Sequence, residues 1–500
     1  MVNPIAIIGA GPSGLAGARA LRRAGIPFHG FEAGPDVGGL WNIDNPRSTM
    51  YESAHLISSR TTTEFAEFPM ASTADYPGHR ELLEYFRAYA DTYGLREHFR
   101  FDTRVTAIEP IGGDAAGATH EAGAPGASGS SDAAHSSDAA SATDAADSTD
   151  AAGASKAADA PGAGGWRVTA VTADGETITG DYSGVILANG TLAEPNVPTF
   201  RGEFTGELLH TNAYRSAKVF DGKRVLIVGA GNSGCDIAVD AVHHAASVDL
   251  SVRRGYYFVP RYLFGRPADT LNQGRPLPAR LKQFIDTRVL RAFTGDPVRF
   301  GFPKPEYKLY ESHPIVNTLI LNHLGQGDLR VVADIDRFDG HTVHFADGTS
   351  GEYDMVVLAT GYKLDYPFVD RAHLNWTGPA PDLYLNIFPP SFNGLFVLGM
   401  IEASGIGWQG RYEQAELIAA YLAADADAHE SAARFRAAAD APWPDLTGGY
   451  HYLGLDRMSY YVNKDAYRRT VARLLGTLPP AFGRGLIFGT EPSRIAGPRA

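Results

Sequence analysis

The sequence contains a single cysteine, Cys235, among its 500 residues. One cysteine excludes a disulfide framework, and it also excludes enzymes that pass electrons through a pair of thiols. The chain lacks an apolar run of membrane-spanning length and a charged, then apolar, leader before its first predicted strand. Basic residues do not exceed acidic ones, with 44 Lys and Arg against 57 Asp and Glu. We therefore expect a cytoplasmic protein that binds neither nucleic acid nor membrane.

Large apolar side chains are almost absent from residues 112–165, which consist mainly of Ala, Gly, Ser, Asp and Thr. The segment holds eight acidic residues and one lysine, and so carries more than half of the formal net charge of −13. Such a composition cannot bury enough surface to offset its ordering entropy, which predicts a disordered, low-complexity insertion. Strand-like runs flank it on both sides, so we interpret it as an expanded hairpin loop.

Two glycine-rich turns of the same design lie about two hundred residues apart. Each follows an apolar, strand-like run and begins an Ala-rich helical run. In such a GxGxxG turn the first glycine makes the turn, the second lets the backbone approach a pyrophosphate, and the third packs helix on strand. The phosphates then lie at the helix N-terminus, where free N–H groups and the helix dipole favour negative charge. The glycines are Gly9, Gly11 and Gly14 in the first turn and Gly229, Gly231 and Gly234 in the second.

Two such turns predict an α/β fold with two Rossmann-like dinucleotide-binding domains. The first domain is expected to be discontinuous, because we interpret the chain as leaving it, forming the second domain and returning to it from about residue 333. We assign residues 1–111 to its first part, 112–165 to the insertion and 166–204 to its continuation. Residues 205–332 are assigned to the second domain, and 333–500 to the last part of the first domain and a C-terminal segment.

The residue at the end of the second strand distinguishes the two dinucleotides. In the first unit this residue is Glu32, whose carboxylate can accept hydrogen bonds from ribose hydroxyls and would repel a 2′-phosphate. In the second unit the equivalent strand ends at Arg253 and Arg254, whose guanidinium groups can pair with a 2′-phosphate. We therefore predict FAD at the first turn and NADPH at the second.

Several further segments occur in the order and at the spacing of one family. They are Gly38-Gly39-Leu40-Trp41 after Glu32, the run Phe204-x-Gly206-x3-His210-x3-Tyr214, Ala359-Thr360-Gly361-Tyr362 and the closing GTEPSRIAGP. Together they resemble the flavin-containing monooxygenases over the whole chain except the insertion. Related Baeyer–Villiger enzymes usually have Trp at the position of Tyr214.

The resemblance implies that NADPH reduces FAD and that the reduced flavin reacts with O2 to form a hydroperoxide. This species would oxygenate the nitrogen or sulfur of a small molecule. It also implies that His210 and Tyr214 shape the hinge between the domains, and that no metal takes part. The sequence leaves the oligomeric state open, with a homodimer among the options. We expect the cofactors to contact Gly9, Gly11, Pro12, Ser13, Gly14, Glu32, Gly39, Leu40, Trp41, Ser59, Arg60, Val105, Gly229, Gly231, Asn232, Ser233, Gly234, Arg253, Arg254, Thr360 and Gly361.

One position departs from the family. The family usually has an Asn that contacts both flavin and nicotinamide, and Ile57 occupies that position here. An apolar side chain cannot replace those hydrogen bonds, although Ser58 or Ser59 could act from the adjacent positions. Four functions stay open: heteroatom oxygenation, Baeyer–Villiger oxidation of ketones, a poorly coupled NADPH oxidase, and a nucleotide-binding flavoprotein with little turnover.

Overall fold

A computed structural model of the chain describes residues 3–112, 164–272 and 276–481. The predicted disorder of the insertion therefore falls almost entirely outside the described residues. The helices are α1 (Pro12–Arg23), α2 (Arg60–Thr63), α3 (His79–Thr92), α4 (Asn232–Val242), α5 (Ala279–Thr294), α6 (Leu319–Gln326), α7 (Gly407–Ala426), α8 (Glu430–Asp440) and α9 (Lys464–Leu475). Among the residues described, no helix is both long and apolar enough to cross a lipid bilayer.

The strands follow the apolar runs of the sequence. In chain order they are β1 (Ile5–Ile8), β2 (Phe28–Phe31), β3 (Phe99–Arg100), β4 (Thr103–Pro110), β5 (Trp166–Thr172), β6 (Thr177–Tyr182), β7 (Gly184–Leu187), β8 (Glu194–Pro195), β9 (Glu207–His210), β10 (Arg224–Val228), β11 (Ser247–Ser251), β12 (Tyr262–Leu263), β13 (Arg266–Pro267), β14 (Arg330–Val332), β15 (Ile335–Asp339), β16 (Thr342–Phe345), β17 (Ser350–Glu352), β18 (Met355–Leu358), β19 (Tyr362–Lys363) and β20 (Leu395–Val397).

A parallel sheet in the order β20-β7-β1-β2-β3 forms the centre of the first unit. Strands β1 and β7 are buried along their whole length, as expected for strands that are covered on both faces of the sheet. Helices α1 and α7 pack together on one face of this sheet. The hairpin β4–β5–β6 packs on the other face, through Val105 and Val168 among others.

The second unit repeats this arrangement with the parallel order β14-β11-β10-β18-β9. Both sheets therefore place the carboxyl end of their first strand at a glycine turn and the N-terminus of a helix. In open sheets of this kind, ligands bind at that edge. The predicted fold class, α/β with two Rossmann-like units, agrees with this topology.

The predicted boundary at residues 332/333 is wrong. Strand β18 pairs with β10 and β9, and the small sheet β15–β17 packs against Leu226 and Val228 of the same unit. The second unit therefore extends to Leu358. The apolar run of β18 looks like that of β7 in the sequence, and only the pairing shows that the two strands lie in different sheets.

The chain passes between the units twice, and the two passages run side by side. The outgoing passage contains β8 and the returning one contains β19, and these two short strands pair antiparallel. Asn196 adds a backbone hydrogen bond to Gly361 O at 2.9 Å. The hinge between the units is thus a two-stranded ribbon.

Candidate cofactor and active site

The first glycine turn is shaped by contacts that no side chain would permit. Gly9 has φ +105°, and a Cβ there would lie 2.7 Å from Ala188 O. A Cβ on Gly14 would lie 1.8 Å from Gly9 O. Gly11 forms the N-cap of α1 and no side chain caps this helix, so the first N–H groups are available to a phosphate. Pro12 and Ser13 occupy the first turn of α1.

The segment Gly38–Trp41 lies directly against this turn. A Cβ on Gly39, which has φ +56°, would lie 2.9 Å from the Cα of Gly11. The Leu40 carbonyl accepts a hydrogen bond from the Ser48 hydroxyl. The ring of Trp41 meets that of Trp408 edge to face, with centroids 5.9 Å apart. The predicted flavin-contacting segment is therefore adjacent to the predicted pyrophosphate turn.

Glu32 lies buried at the end of β2, next to the same turn. Its Oε2 accepts the Ala10 N–H at 2.6 Å and its Oε1 the Gly34 N–H at 2.8 Å. Burial raises the pKa of this carboxyl, and the two N–H donors oppose that rise. Its backbone carbonyl accepts from Thr103 N, two residues before Val105 on β4. These positions fit the ribose end of a dinucleotide.

The second turn has the same geometry. Gly229 has φ +102°, and a Cβ on Gly234 would lie 1.9 Å from Gly229 O. A Cβ on Gly231 would meet nothing within 4 Å, so this face of the turn is open. Asn232 Oδ1 accepts the Val316 N–H at 2.7 Å, which attaches the turn to a segment of its own unit. Ser233 is half-buried beside it.

Arg253 and Arg254 follow β11 at the carboxyl edge of the second sheet. Arg253 is exposed and lines a surface pocket together with Arg330 and Thr349. The Arg254 guanidinium lies 5.6 Å above the ring of Tyr256. No described acidic side chain pairs with either arginine, so both can accept an anionic ligand.

His210 ends β9 and lies beside the returning passage, and Tyr214 follows it four residues later. His210 Nε2 lies 3.2 Å from Gly361 O, and burial lowers the pKa of the imidazole. The Tyr214 hydroxyl donates to Asp240 Oδ2 at 2.8 Å, and its ring is buried against Tyr51. These contacts tie β9 to the returning passage and to α4, so the two residues hold structure at the hinge.

Thr360 and Gly361 lie in the ribbon itself. The Thr360 hydroxyl donates to Asn196 O at 2.6 Å. Gly361 has φ +87° and a Cβ there would meet nothing within 4 Å. One side of this glycine is therefore open to the space between the units.

The segment around Ile57 bridges the units. Ile57 is exposed, with 38% of its surface accessible, Ser58 is half-buried and Ser59 is buried. Ser59 N and Oγ both donate to Asp269 Oδ2, at 2.7 and 3.0 Å. Ser59 is thus held by the second unit in this structure, and its predicted role toward a cofactor stays a prediction. Arg60 begins helix α2, and its buried Nε has no partner among the described residues.

Sequence reasoning missed three groups that connect the units. Asp269 holds the Ser59 segment, Asp236 on α4 accepts from the Tyr51 hydroxyl at 3.3 Å, and Asp240 accepts from Ser53 as well as Tyr214. No motif signals such contacts, because their partners are distant in the sequence and ordinary in type.

The arrangement defines a protein that holds two dinucleotides, one in each unit, with a bridging segment between them. The sequence profile of the family described as "Flavin-binding monooxygenase-like" matches residues 2–121 and 147–422. The chain therefore belongs to this family, which confirms the resemblance drawn from the motifs.

Named relatives and solved structures agree with this membership. Flavin-containing monooxygenase 5 of Oryctolagus cuniculus is 27% identical over 421 residues, covering 80% of this chain and 70% of the relative. Indole-3-pyruvate monooxygenase YUCCA1 of Oryza sativa subsp. japonica is 28% identical over 424 residues, covering 80% of this chain and 87% of the relative. S-allyl-L-cysteine S-oxygenase from Allium sativum superposes with a TM-score of 0.59 at 19% identity, covering 95% of this chain and 89% of that one. A steroid monooxygenase bound to NADP superposes with a TM-score of 0.63 at 18% identity, covering 95% of this chain and 98% of that one.

Membership of the family identifies the two cofactors. The protein is a flavin-dependent monooxygenase that uses FAD and NADPH, as predicted. The residues present fit both groups: open helix N-termini lie at Gly11 and Gly231, with a buried carboxylate at one site and two arginines at the other.

Proposed function

We propose that this protein oxygenates the nitrogen or sulfur of a small nucleophilic molecule, with NADPH as electron donor and O2 as oxygen donor. The main support is the bridging segment between residues 38 and 63. It contacts the first glycine turn through Gly39 and the helix of the second turn through Tyr51. A single segment that contacts both predicted cofactor sites is what electron transfer between them requires.

Our assignment places the FAD pyrophosphate at Gly11 and α1, its ribose at Glu32, and the NADPH phosphates at Gly231, Arg253 and Arg254. Once bound, these cofactors supply hydride transfer and the activation of dioxygen. The chain contributes binding, orientation and exclusion of water. It needs no strong general base in the hinge, which fits the neutral form that burial favours for His210.

The heteroatom assignment rests on the hinge. Tyr214 is buried and hydrogen-bonded to Asp240, where the ketone-oxidising relatives usually carry Trp. Two superposed structures carry these two activities in their names: one is the S-oxygenase from Allium sativum, and the other is cyclohexanone monooxygenase, with a TM-score of 0.62. The substrate test below separates the two chemistries.

The test is a product balance in the FAD-loaded enzyme. Purified protein is given NADPH and O2 with N,N-dimethylbenzylamine, benzyl methyl sulfide or cyclohexanone, and NADPH, oxygenated product and hydrogen peroxide are quantified. An N-oxide or sulfoxide formed nearly one-to-one with NADPH supports the proposal. A lactone formed from the ketone alone would replace it with Baeyer–Villiger oxidation.

A poorly coupled NADPH oxidase is the second candidate, and Ile57 favours it. This apolar side chain is 38% exposed in the segment between the two sites, where a hydrogen-bonding side chain is usual in the family. Under this alternative, hydrogen peroxide would account for nearly all NADPH with every substrate. The variant Ile57→Asn would then raise the share of oxygenated product, while Ile57→Val, the matched apolar control, would not.

A further inference from the structure

The loop between β20 and α7 runs along the first cofactor site. Gly399 at its start lies against Ser13 of α1, since a Cβ on Gly399 would meet the Ser13 side chain. Gly407 at its end lies against Thr62, whose carbonyl oxygen would be 2.4 Å from a Cβ there. Glu402 is in the middle of this loop. It therefore lies between the pyrophosphate turn and the segment that follows Ile57.

The same loop is connected to the second unit through Tyr461. The backbone of Glu402 pairs with that of Tyr461, and the Glu402 backbone carbonyl accepts the Val462 N–H at 2.8 Å. The Tyr461 hydroxyl lies 3.1 Å from Ser404 Oγ and 3.2 Å from Nδ1 of His313 in the second unit. The residue after His313 accepts a hydrogen bond from Asn232, in the second glycine turn. Glu402 is thus placed between the two cofactor sites.

The Glu402 carboxylate lacks hydrogen-bond donors. No described N–H or O–H group donates to its side chain, and the nearest cation, Arg411 Nη2, is 4.0 Å from Oε1. The Arg411 guanidinium is already engaged, because Nη1 donates to Gly407 O at 2.9 Å and Nη2 to Ile401 O at 3.2 Å. About a third of the Glu402 side chain, 32%, is accessible, so a ligand can reach the carboxylate.

Burial between the units raises the pKa of Glu402, while Arg411 and Arg457 oppose the rise. The other titratable groups that face it are Tyr460 and Tyr461. Tyr460 is buried, whereas the Tyr461 ring is half-buried beside the carboxylate. A carboxylate without donors next to this ring suits an organic cation, through charge and cation–π attraction.

We propose that Glu402 is the residue that selects amines as substrates. This inference rests on the function proposed above. The carboxylate binds the protonated nitrogen of the amine and then accepts its proton: one N–H bond breaks, one O–H bond forms, and no electrons are gained or lost. The nitrogen is left with the free lone pair that oxygen transfer requires. A thioether has a free lone pair already and does not need this residue.

The test compares two substrates of the same shape in the FAD-loaded, full-length enzyme. For Glu402→Gln, kcat/KM with N,N-dimethylbenzylamine should fall by about 10- to 100-fold, the usual contribution of a positioned base. With benzyl methyl sulfide it should stay within about 3-fold. Glu402→Asp should recover part of the amine activity, and Glu176→Gln, at an exposed hairpin turn, should change neither value. Equal losses for amine and sulfide would overturn the proposal.

Two further measurements separate this inference from the proposed function. In the unaltered enzyme, kcat/KM for the amine should rise with pH as Glu402 ionises, and this limb should be absent in Glu402→Gln. Benzyltrimethylammonium, which cannot be oxygenated, should bind more weakly to Glu402→Gln in equilibrium dialysis. If the unaltered enzyme forms only hydrogen peroxide, the proposed function fails. Unchanged binding of the quaternary cation would in turn refute the role of Glu402.

Discussion

Arg253 and Arg254 are neighbours with different surroundings. Arg253 is exposed at the rim of a surface pocket, whereas the Arg254 guanidinium is oriented over the Tyr256 ring. Arg254 therefore loses less side-chain freedom when it binds an anion, and Arg253 adds a second positive group nearby. Their combined contribution should depend on whether the ligand carries a 2′-phosphate.

The variant carrying Arg253→Ala and Arg254→Ala should bind NADPH at least about 10- to 100-fold more weakly, because a single hydrogen bond to a charged group is worth roughly 1.5–3 kcal/mol. NADH affinity should change by less than about 3-fold, since NADH lacks that phosphate. Titration of the FAD-loaded protein under anaerobic conditions gives both dissociation constants. Arg280→Ala, an exposed arginine on α5, is the control. Equal losses for the two nucleotides would place the 2′-phosphate elsewhere.

Single residues also show where sequence reasoning succeeds. A Cβ on Gly14 would collide with Gly9 O whatever the rest of the fold does, so the local pattern is enough to predict the turn. Asp269 is different, because its acceptor role depends on Ser59, 210 positions away, and on the packing of one unit on the other. The cofactor turns could be predicted because they depend on a local pattern of glycines. The contacts around Ile57 could not, because they depend on residues that are distant in the sequence.

Helix α7 shows how an element can carry charges into the core. Most of its residues are buried, among them Glu413, Gln414 and Glu416, each of which has an assigned partner. Glu413 pairs with Arg468, Gln414 Oε1 accepts the Gly399 N–H at 3.0 Å, and Glu416 pairs with Arg23 at 2.9 Å. Burial raises the pKa of Glu416 to about 7, although Arg23 opposes the rise. The stability of α7, the helix that follows the loop after β20, should therefore depend on pH.

The effect of Glu416 on stability has a definite sign. Between its ordinary pKa of 4.5 and about 7, the folded protein holds a proton that the unfolded chain has released. The free energy of unfolding should therefore fall as pH rises through this window, by up to about 3 kcal/mol from this group. The free energy of unfolding of the unaltered protein minus that of Glu416→Gln, from urea unfolding at several pH values, should fall by this amount as pH rises through the window. A difference that does not vary with pH would contradict the assignment, and the exposed Glu430→Gln is the control.

The short helix α2 depends on the other unit. It has no side-chain cap of its own at Ser59, and Asp269 supplies the acceptor for the Ser59 N–H and hydroxyl and for the Thr62 hydroxyl. A cap of this kind is worth about 0.5–2 kcal/mol. Although α2 lies in the first unit, it is stabilised by a side chain of the second unit.

The variant Asp269→Ala should leave those donors without an acceptor. Amide hydrogen exchange of residues 57–63 should then be faster by about 3- to 30-fold, the equivalent of a lost cap. Exchange in β1 and β10 should be unchanged. Asp296→Ala, which removes a cap from an exposed turn of the same unit, is the matched control. Unchanged exchange at residues 57–63 would show that other contacts order this segment.

At the scale of the whole molecule, the two ends of the insertion lie next to each other. Strands β4 and β5 pair up to Pro110 and Trp166, on either side of it. The family profile also stops at residue 121 and resumes at 147. The ends of the segment are therefore held by a hairpin that does not depend on what lies between them.

Replacing residues 114–162 by a short Gly–Ser linker should leave FAD content, NADPH affinity and kcat/KM within about 2-fold. Loop closure costs only about 0.6 kcal/mol per doubling of length, so the shortened protein should be slightly more stable. Flavin absorbance, nucleotide titration and thermal unfolding measure these quantities. A loss of FAD or of activity would assign the insertion a role in the enzyme.

The paired strands β8 and β19 connect the two units of the molecule. Each strand of this ribbon restrains the other through the pairs Tyr362–Pro195 and Lys363–Glu194. Movement of one unit on the other is therefore restrained by two passages at once. A rotation of one unit away from the other would also break the contacts of Asp269 with Ser59 and of Tyr461 with His313, so these two contacts would have to be lost before the units separate.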